Sequence, residues 1–156
     1  MGQKVNPHGL RVGVIKDWDS RWYASDEKVG DLIVEDQKIR KYLKKTLYGA
    51  GVPKIEIERS ADTVTIFLQC ARPGVVIGKG GEQIEQYRLA VEKMIGKKVK
   101  LNIVEVRNAD MNAQLVAENI AQQLEKRISH RRAMKNAMAR AMRAGAKGIK
   151  VCASGR

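Results

Sequence analysis

Between Lys126 and Arg156 there is no aspartate or glutamate, although ten lysines and arginines fall in those 31 positions. Solubility alone does not call for so one-sided a stretch, and an anionic polymer becomes the leading class of partner. The other 125 residues hold 20 basic and 17 acidic side chains, so most of the net charge of +13 is concentrated at one end. Histidine is scarce: His8 and His130 have neither metal-ligand spacing nor a nucleophile partner, and the carboxylates offer no acid–base pair. Enzymatic function, a bound metal, a cofactor and a small-molecule substrate are therefore not expected. The two cysteines, Cys70 and Cys152, are too few for a disulfide framework or a zinc site and fit a reducing compartment. Each falls in an apolar, strand-like run where a small core residue is expected. No apolar run approaches the roughly 20 residues that span a bilayer, and no signal-peptide core opens the chain. The start MGQKVN lacks the Ser or Thr of a myristoylation signal. A soluble, cytoplasmic protein without a membrane partner is expected.

What is present is enough apolar residue, 44% of 156, for one ordinary domain or two small ones. Residues 1–30, with Gly2, Pro7, Gly9 and Gly13 ahead of Trp18, Trp22 and Tyr23, read as an irregular arm. From Val34 to Tyr48, Ile39, Tyr42, Leu43 and Leu47 recur at helical spacing, with Glu35 and Asp36 at the start and Lys44 and Lys45 at the end to suit the helix dipole. Gly49, Gly51 and Pro53 stop that helix. Ile55 and Ile57 alternate with glutamates, and Val64, Ile66, Leu68 and Cys70 alternate with Thr65, Phe67 and Gln69. With Ser60-Ala61-Asp62 as the turn, this is a β-hairpin. A helix follows from about Glu82 to Ile95, facing inward through Ile84, Tyr87, Val91, Met94 and Ile95. A strand then runs through Val99, Leu101 and Ile103. Beyond Asp110, the expected N-cap, Val116, Ile120, Leu124 and Ile128 step along another helix. A break at Ser129-His130 leads to a last helix ending at Gly145 and a last strand, GIKVCASGR.

The segment PGVVIGKGGEQIEQ (residues 73–86) is rich in glycine just where a helix begins, a common setting for phosphate recognition. It fails the Walker A pattern, because only three residues separate Gly74 from Gly78 and Gly80 stands where a Ser or Thr should hold magnesium. It fails the dinucleotide fingerprint as well, having no βαβ unit around it. What fits is I-G-x-x-G, Ile77 to Gly81, inside the order αββααβ. This resembles a type II KH domain, whose G-x-x-G loop clamps the backbone of about four nucleotides. Gly78, Lys79, Gly80 and Gly81 are then the RNA-backbone residues. Glycine leaves no Cβ to hold off a phosphodiester and permits positive φ, helix amides face the anion, and Lys79 adds charge. A corner that needs glycine only for its backbone angles is the competing reading.

In the last helix, Met134, Ala137, Met138, Ala141 and Met142 form one apolar stripe expected to be core. Arg132, Lys135, Arg140 and Arg143 gather on the opposite face, with Arg131 nearer the rim and His130 beside them. These cations make a second expected RNA-binding site.

Three stretches extend the resemblance over nearly the whole chain: GQKVNPHGLRVGVI, VVIGKGGEQI, and RRAMKNAMARAMRAGAKGIKV with its trailing SGR. The chain is similar to the bacterial-type ribosomal proteins of the small-subunit head that carry a type II KH domain, third in the small-subunit series. The resemblance implies an α+β protein: an arm at 1–16, a KH domain at 17–107 with a three-stranded mixed sheet backed by helices, and a partial second α/β domain at 108–156 of two helices and one strand. It implies small-subunit rRNA, mRNA and neighbouring head proteins as partners. The R-R-x-x-K pattern, which in that family faces incoming mRNA, falls on Arg131, Arg132 and Lys135. In the family the second domain continues past S-G-R, so a truncated C-terminus is expected here. The alternatives are a free-standing KH regulator or assembly factor binding single-stranded RNA, and a nuclease or helicase, which the failed Walker pattern disfavours.

Overall fold

A computed structural model describes residues 2–3 and 5–155 of the chain; Met1 and Lys4 of the expected arm and Arg156 of the expected last strand lie outside the described residues. In chain order the elements are α1 (Pro7–Arg11), β1 (Ser20–Arg21), α2 (Asp26–Thr46), β2 (Lys54–Arg59), β3 (Thr63–Cys70), α3 (Pro73–Ile77), α4 (Glu82–Ile95), β4 (Lys98–Glu105), α5 (Ala113–Glu125) and α6 (His130–Arg143). The sheet order is β1-β2-β3-β4, with β1–β2 and β3–β4 parallel and β2–β3 an antiparallel hairpin. The strands β2, β3 and β4 are the three-stranded mixed sheet of the KH module, and the arm adds β1 at its edge.

Alternation decides which side of the sheet is packed. Ile55, Ile57, Val64, Ile66, Leu68, Cys70 and Val99 point to one face and are buried there against Ile39 and Leu43 of α2, Val76 of α3 and Val91 of α4. Each large aliphatic side chain so buried stabilises the fold by roughly 1.5–3 kcal/mol. On α4, Tyr87 and Ile95 pack against this core as expected, but Met94 is exposed.

The arm is more regular than its sequence suggests. Besides α1 and β1, α2 begins at Asp26, eight residues before the expected Val34, with Ser25 at the N-cap position and Asp26 and Glu27 in the first turn. Half-buried Val29 and Leu32 continue the inward line of Ile39 and Leu43, but the inward position between them belongs to Asp36, while Ile33 and Val34 are exposed. A carboxylate on the core line masks the helical period. Asp36 is only 4% exposed and is fully partnered. It accepts from Ser20 Oγ (3.1 Å), Trp22 Nε1 (2.9 Å) and Arg59 Nε (2.9 Å), and Arg59 stacks over the Trp22 ring at 5.9 Å. Arg40 adds bonds to the Asp19 carbonyl and Ser20 Oγ, both 3.0 Å. Residues 19–22 are thereby latched to α2 and β2.

The C-terminal block departs from expectation in four places. The N-cap of α5 is Asn112, whose Oδ1 accepts from the amides of Gln114 (3.1 Å) and Leu115 (3.3 Å); Asp110 lies in the preceding 3₁₀ turn. On α5, Val116 and Ile120 pack inward but Leu124 is exposed; Ile128, expected on the same helix, lies past its end at Glu125 and is exposed too. A step of four residues overshoots a full turn by about 40°, so the line drifts off the contact. On α6 the buried residues are Ala133, Ala137 and Ala141, and Met142 is 49% exposed. Each methionine follows one of these alanines, so the methionine line is turned by about 100° from the true inward face. Residues 148–155 form no strand, because no neighbouring strand offers them a ladder, and Cys152 is exposed rather than core. Lys44 Nζ ties the block to the KH module, reaching Glu118 Oε1 at 2.6 Å and the Val52 carbonyl.

Candidate nucleic-acid interface

The glycine loop joins α3 to α4 and turns through three positive φ values in four residues: Gly78 (+71°), Gly80 (+64°) and Gly81 (+83°). Lys79 is exposed at the tip. At Gly81, which caps α4, nothing occupies the place of a Cβ, and no side chain caps the helix. The Glu82 amide donates back to the Lys79 carbonyl, which leaves the amides after it in the first turn to meet an anion. Gly78 differs from the sequence reading. A Cβ there would stand 2.7–2.9 Å from the Cβ, Cγ and Cδ atoms of Gln83, so this glycine makes room for a neighbouring side chain, not for a phosphodiester. Glu82, in the first turn of α4, offsets the charge of Lys79. What the loop offers an anion is thus mainly oriented N–H groups. Exposed Val75 and Ile77 on α3 and exposed Arg72 before it border the loop; sequence reasoning passed over all three, although the apolar pair sits inside the quoted segment.

The second group sits on α6. Arg131, Arg132, Lys135, Arg140 and Arg143 are all exposed, on a helix whose inward face is alanine. At about 100° per residue, Arg132 and Arg143 share one line, Arg131 and Lys135 another, and both lines point away from the buried face. Arg140 does not join them. Its guanidinium donates to Asn119 Oδ1 on α5 and lies 4.0 Å from Asp110, which turns it into a tie between helices. Exposed Met142 and half-buried Met138 lie beside the Arg131–Lys135 line. The structure therefore groups four of the five cations, and it keeps the loop and α6 as two separate surfaces on different modules.

Among the described residues no cluster of three His, Cys, Asp or Glu side chains could hold a metal ion, and no helix is long and apolar enough to cross a membrane. Burial pushes the Cys70 thiol up from its ordinary pKa, with the carboxylate of Glu105 acting in the same direction. That leaves Cys70 a core residue with little thiolate character.

Comparison with known families matches residues 38–111 to a profile described as KH domain, and residues 120–156 to one described as Ribosomal protein S3, C-terminal domain. Among curated proteins, the chain is 65% identical to the small ribosomal subunit protein uS3 of Clostridioides difficile. It is 61% identical to that of Acetivibrio thermocellus and 62% identical to that of Agathobacter rectalis. Each match covers all of this chain, which spans 58%, 69% and 71% of the three relatives' lengths respectively.

Proposed function

The chain belongs to the family of the small ribosomal subunit protein uS3, and from that premise we propose that it is a non-catalytic structural constituent of the small subunit of a cytoplasmic ribosome. It binds small-subunit rRNA in the head, lies against neighbouring head proteins, and presents α6 to mRNA where the message enters the subunit. The observation that most supports this reading is the outward face of α6, where Arg131, Arg132, Lys135 and Arg143 stand exposed above an alanine contact. Arg131 and Lys135 are one turn apart, and Arg132 is three residues from Lys135, so their heads project together toward one strand. Arginine can grip a phosphate with two donors, while lysine offers a point charge. Neither reads sequence, which suits a passage used by every message. The KH loop adds a backbone contact of a different kind, through amides rather than net charge. No observation favours a free-standing KH regulator: the KH segment is joined to one that matches the ribosomal C-terminal domain, and uS3 relatives match all of this chain.

The test is the triple variant Arg131→Ala/Arg132→Ala/Lys135→Ala in reconstituted subunits. The expected result is normal subunit assembly, slowed translation through hairpins placed early in the message, and normal translation of unstructured messages. If subunits fail to assemble, α6 is an rRNA anchor. If structured and unstructured messages behave alike, the mRNA role is wrong.

A further inference from the structure

The sheet has two faces, and only one of them is packed. Along β3 the buried side chains alternate with Thr63, Thr65, Phe67 and Gln69, which are half-exposed on the other face. Phe67 is the only phenylalanine in the chain. It stands in mid-sheet between Glu56 of β2 and Asn102 of β4, outside the residues that make the core. An aromatic ring left among polar neighbours on an uncovered sheet needs an explanation that core packing does not supply.

Charge on this face is divided. The β2 acids are engaged: Glu56 pairs with Lys54 at 2.7 Å and Glu58 with Arg21 at 3.4 Å. On the β4 side, Lys98 and Lys100 stand on this face, in a stretch with no acid from Lys93 to Val104. Neither has an acidic partner within 4.0 Å among the described residues. Lys98 and Lys100 lie opposite Thr63 and Thr65, on the same face as Phe67 and about 6.6 Å apart along the strand. Lysines do guard edge strands against unwanted pairing. That accounts for Lys98 and Lys100 but not for the ring between them and β2.

We propose that this open face is a second single-stranded RNA surface, in which Phe67 stacks a base, Asn102 meets that base's edge, and Lys98 and Lys100 hold adjoining phosphates. An open sheet with a central aromatic is a stacking platform that accepts any base, and flanking cations supply the affinity. The surface lies on the side of the sheet away from α4, so it engages a stretch of RNA distinct from any at the glycine loop. The inference rests on the reading that the chain binds RNA, and it adds a site to that reading.

Because Phe67 is unique, labelling phenylalanine rings in the full chain gives one set of ring resonances. A short oligouridylate titrated into this protein is expected to move them upfield as a base stacks. In a chain already carrying Arg131→Ala/Arg132→Ala/Lys135→Ala, Phe67→Leu keeps the apolar bulk and should weaken oligouridylate binding about five- to a hundredfold. Lys98→Gln with Lys100→Gln should reduce the log–log salt slope by about 1.4. If the oligonucleotide binds while the ring resonances stay still, this inference is overturned and the reading of an RNA-binding chain survives. If the unaltered chain binds no RNA at all, both fall. If the ring responds only to added small-subunit proteins, the face is a protein interface and the proposal fails.

Discussion

Fourteen buried apolar residues, from Ile39 to Val99, close the core of the KH module, whereas Ile120, Ala133 and Ala137 close the contact between α5 and α6. The two regions solve different problems. In the KH module, branched side chains on three strands and three helices bury enough area to hold a sheet whose other face is open. In the helix pair, alanines let two backbones approach closely while the outer face of α6 keeps its cations. The cost is a contact with little apolar area, supported by polar ties: Lys44 to Glu118 and Arg140 to Asn119. One region is held by volume, the other by closeness. The proposed RNA-facing chemistry follows the same division, amides at a glycine loop in the first and side-chain charge in the second.

The strongest way to break the contrast is at Asp36, the one carboxylate buried with the KH core among the described residues. Asp36→Ala leaves the Arg59 guanidinium without its main partner, and Arg59 is itself almost fully buried, its side chain 6% exposed. Removing one member of a buried, hydrogen-bonded charge pair costs about 3–5 kcal/mol. Urea denaturation should show that loss, and hydrogen exchange should show residues 19–22 released first. A loss below 1 kcal/mol would mean that the latch is incidental to the fold.

A smaller effect should come from overfilling the helix contact. Ala137→Leu inserts a side chain where α5 and α6 touch, at about 1–3 kcal/mol. Because so little of the KH core lies nearby, amides of α5 and α6 should lose protection while those of β3 keep theirs. Equal loss in both regions would show that the two unfold as a single cooperative unit, and the contrast would dissolve.

The mildest probe leaves the sequence untouched. Cys70 is buried with its thiol pKa raised, and Cys152 is exposed. Since a raised pKa leaves less thiolate at a given pH, iodoacetamide at neutral pH should label Cys152 and spare Cys70, with no change in stability. Mass mapping of the labelled peptides decides it; rapid labelling of Cys70 would mean that the KH core opens far more readily than its packing implies.

Much of this was legible beforehand. The alternation Val64, Ile66, Leu68, Cys70 defined a half-buried strand and its inward face. The glycines of residues 78–81 marked the turn, and the acid-free stretch after Lys126 located the cationic helix. Three features were not legible. Asp36 reads as a dipole-matching residue at a helix start, yet it is the hub of a buried network, because its partners Ser20, Trp22 and Arg59 arrive from other elements. The α6 stripe read as methionine because hydrophobicity scales favour Met over Ala, whereas close helix contact selects the smaller residue. Gly78 read as room for a ligand, and the room proved to be taken by Gln83.

Local period, turn chemistry and composition, which one stretch of chain carries alone, were enough to place the KH elements, the faces of the strands, the loop and the concentration of positive charge. No single stretch shows that the arm is latched as an edge strand, that Arg140 ties two helices instead of standing free, or that Phe67 lies on an uncovered face. Each of those depends on which groups from distant parts of the chain meet, and burial or pairing changes what a side chain can do once they have met.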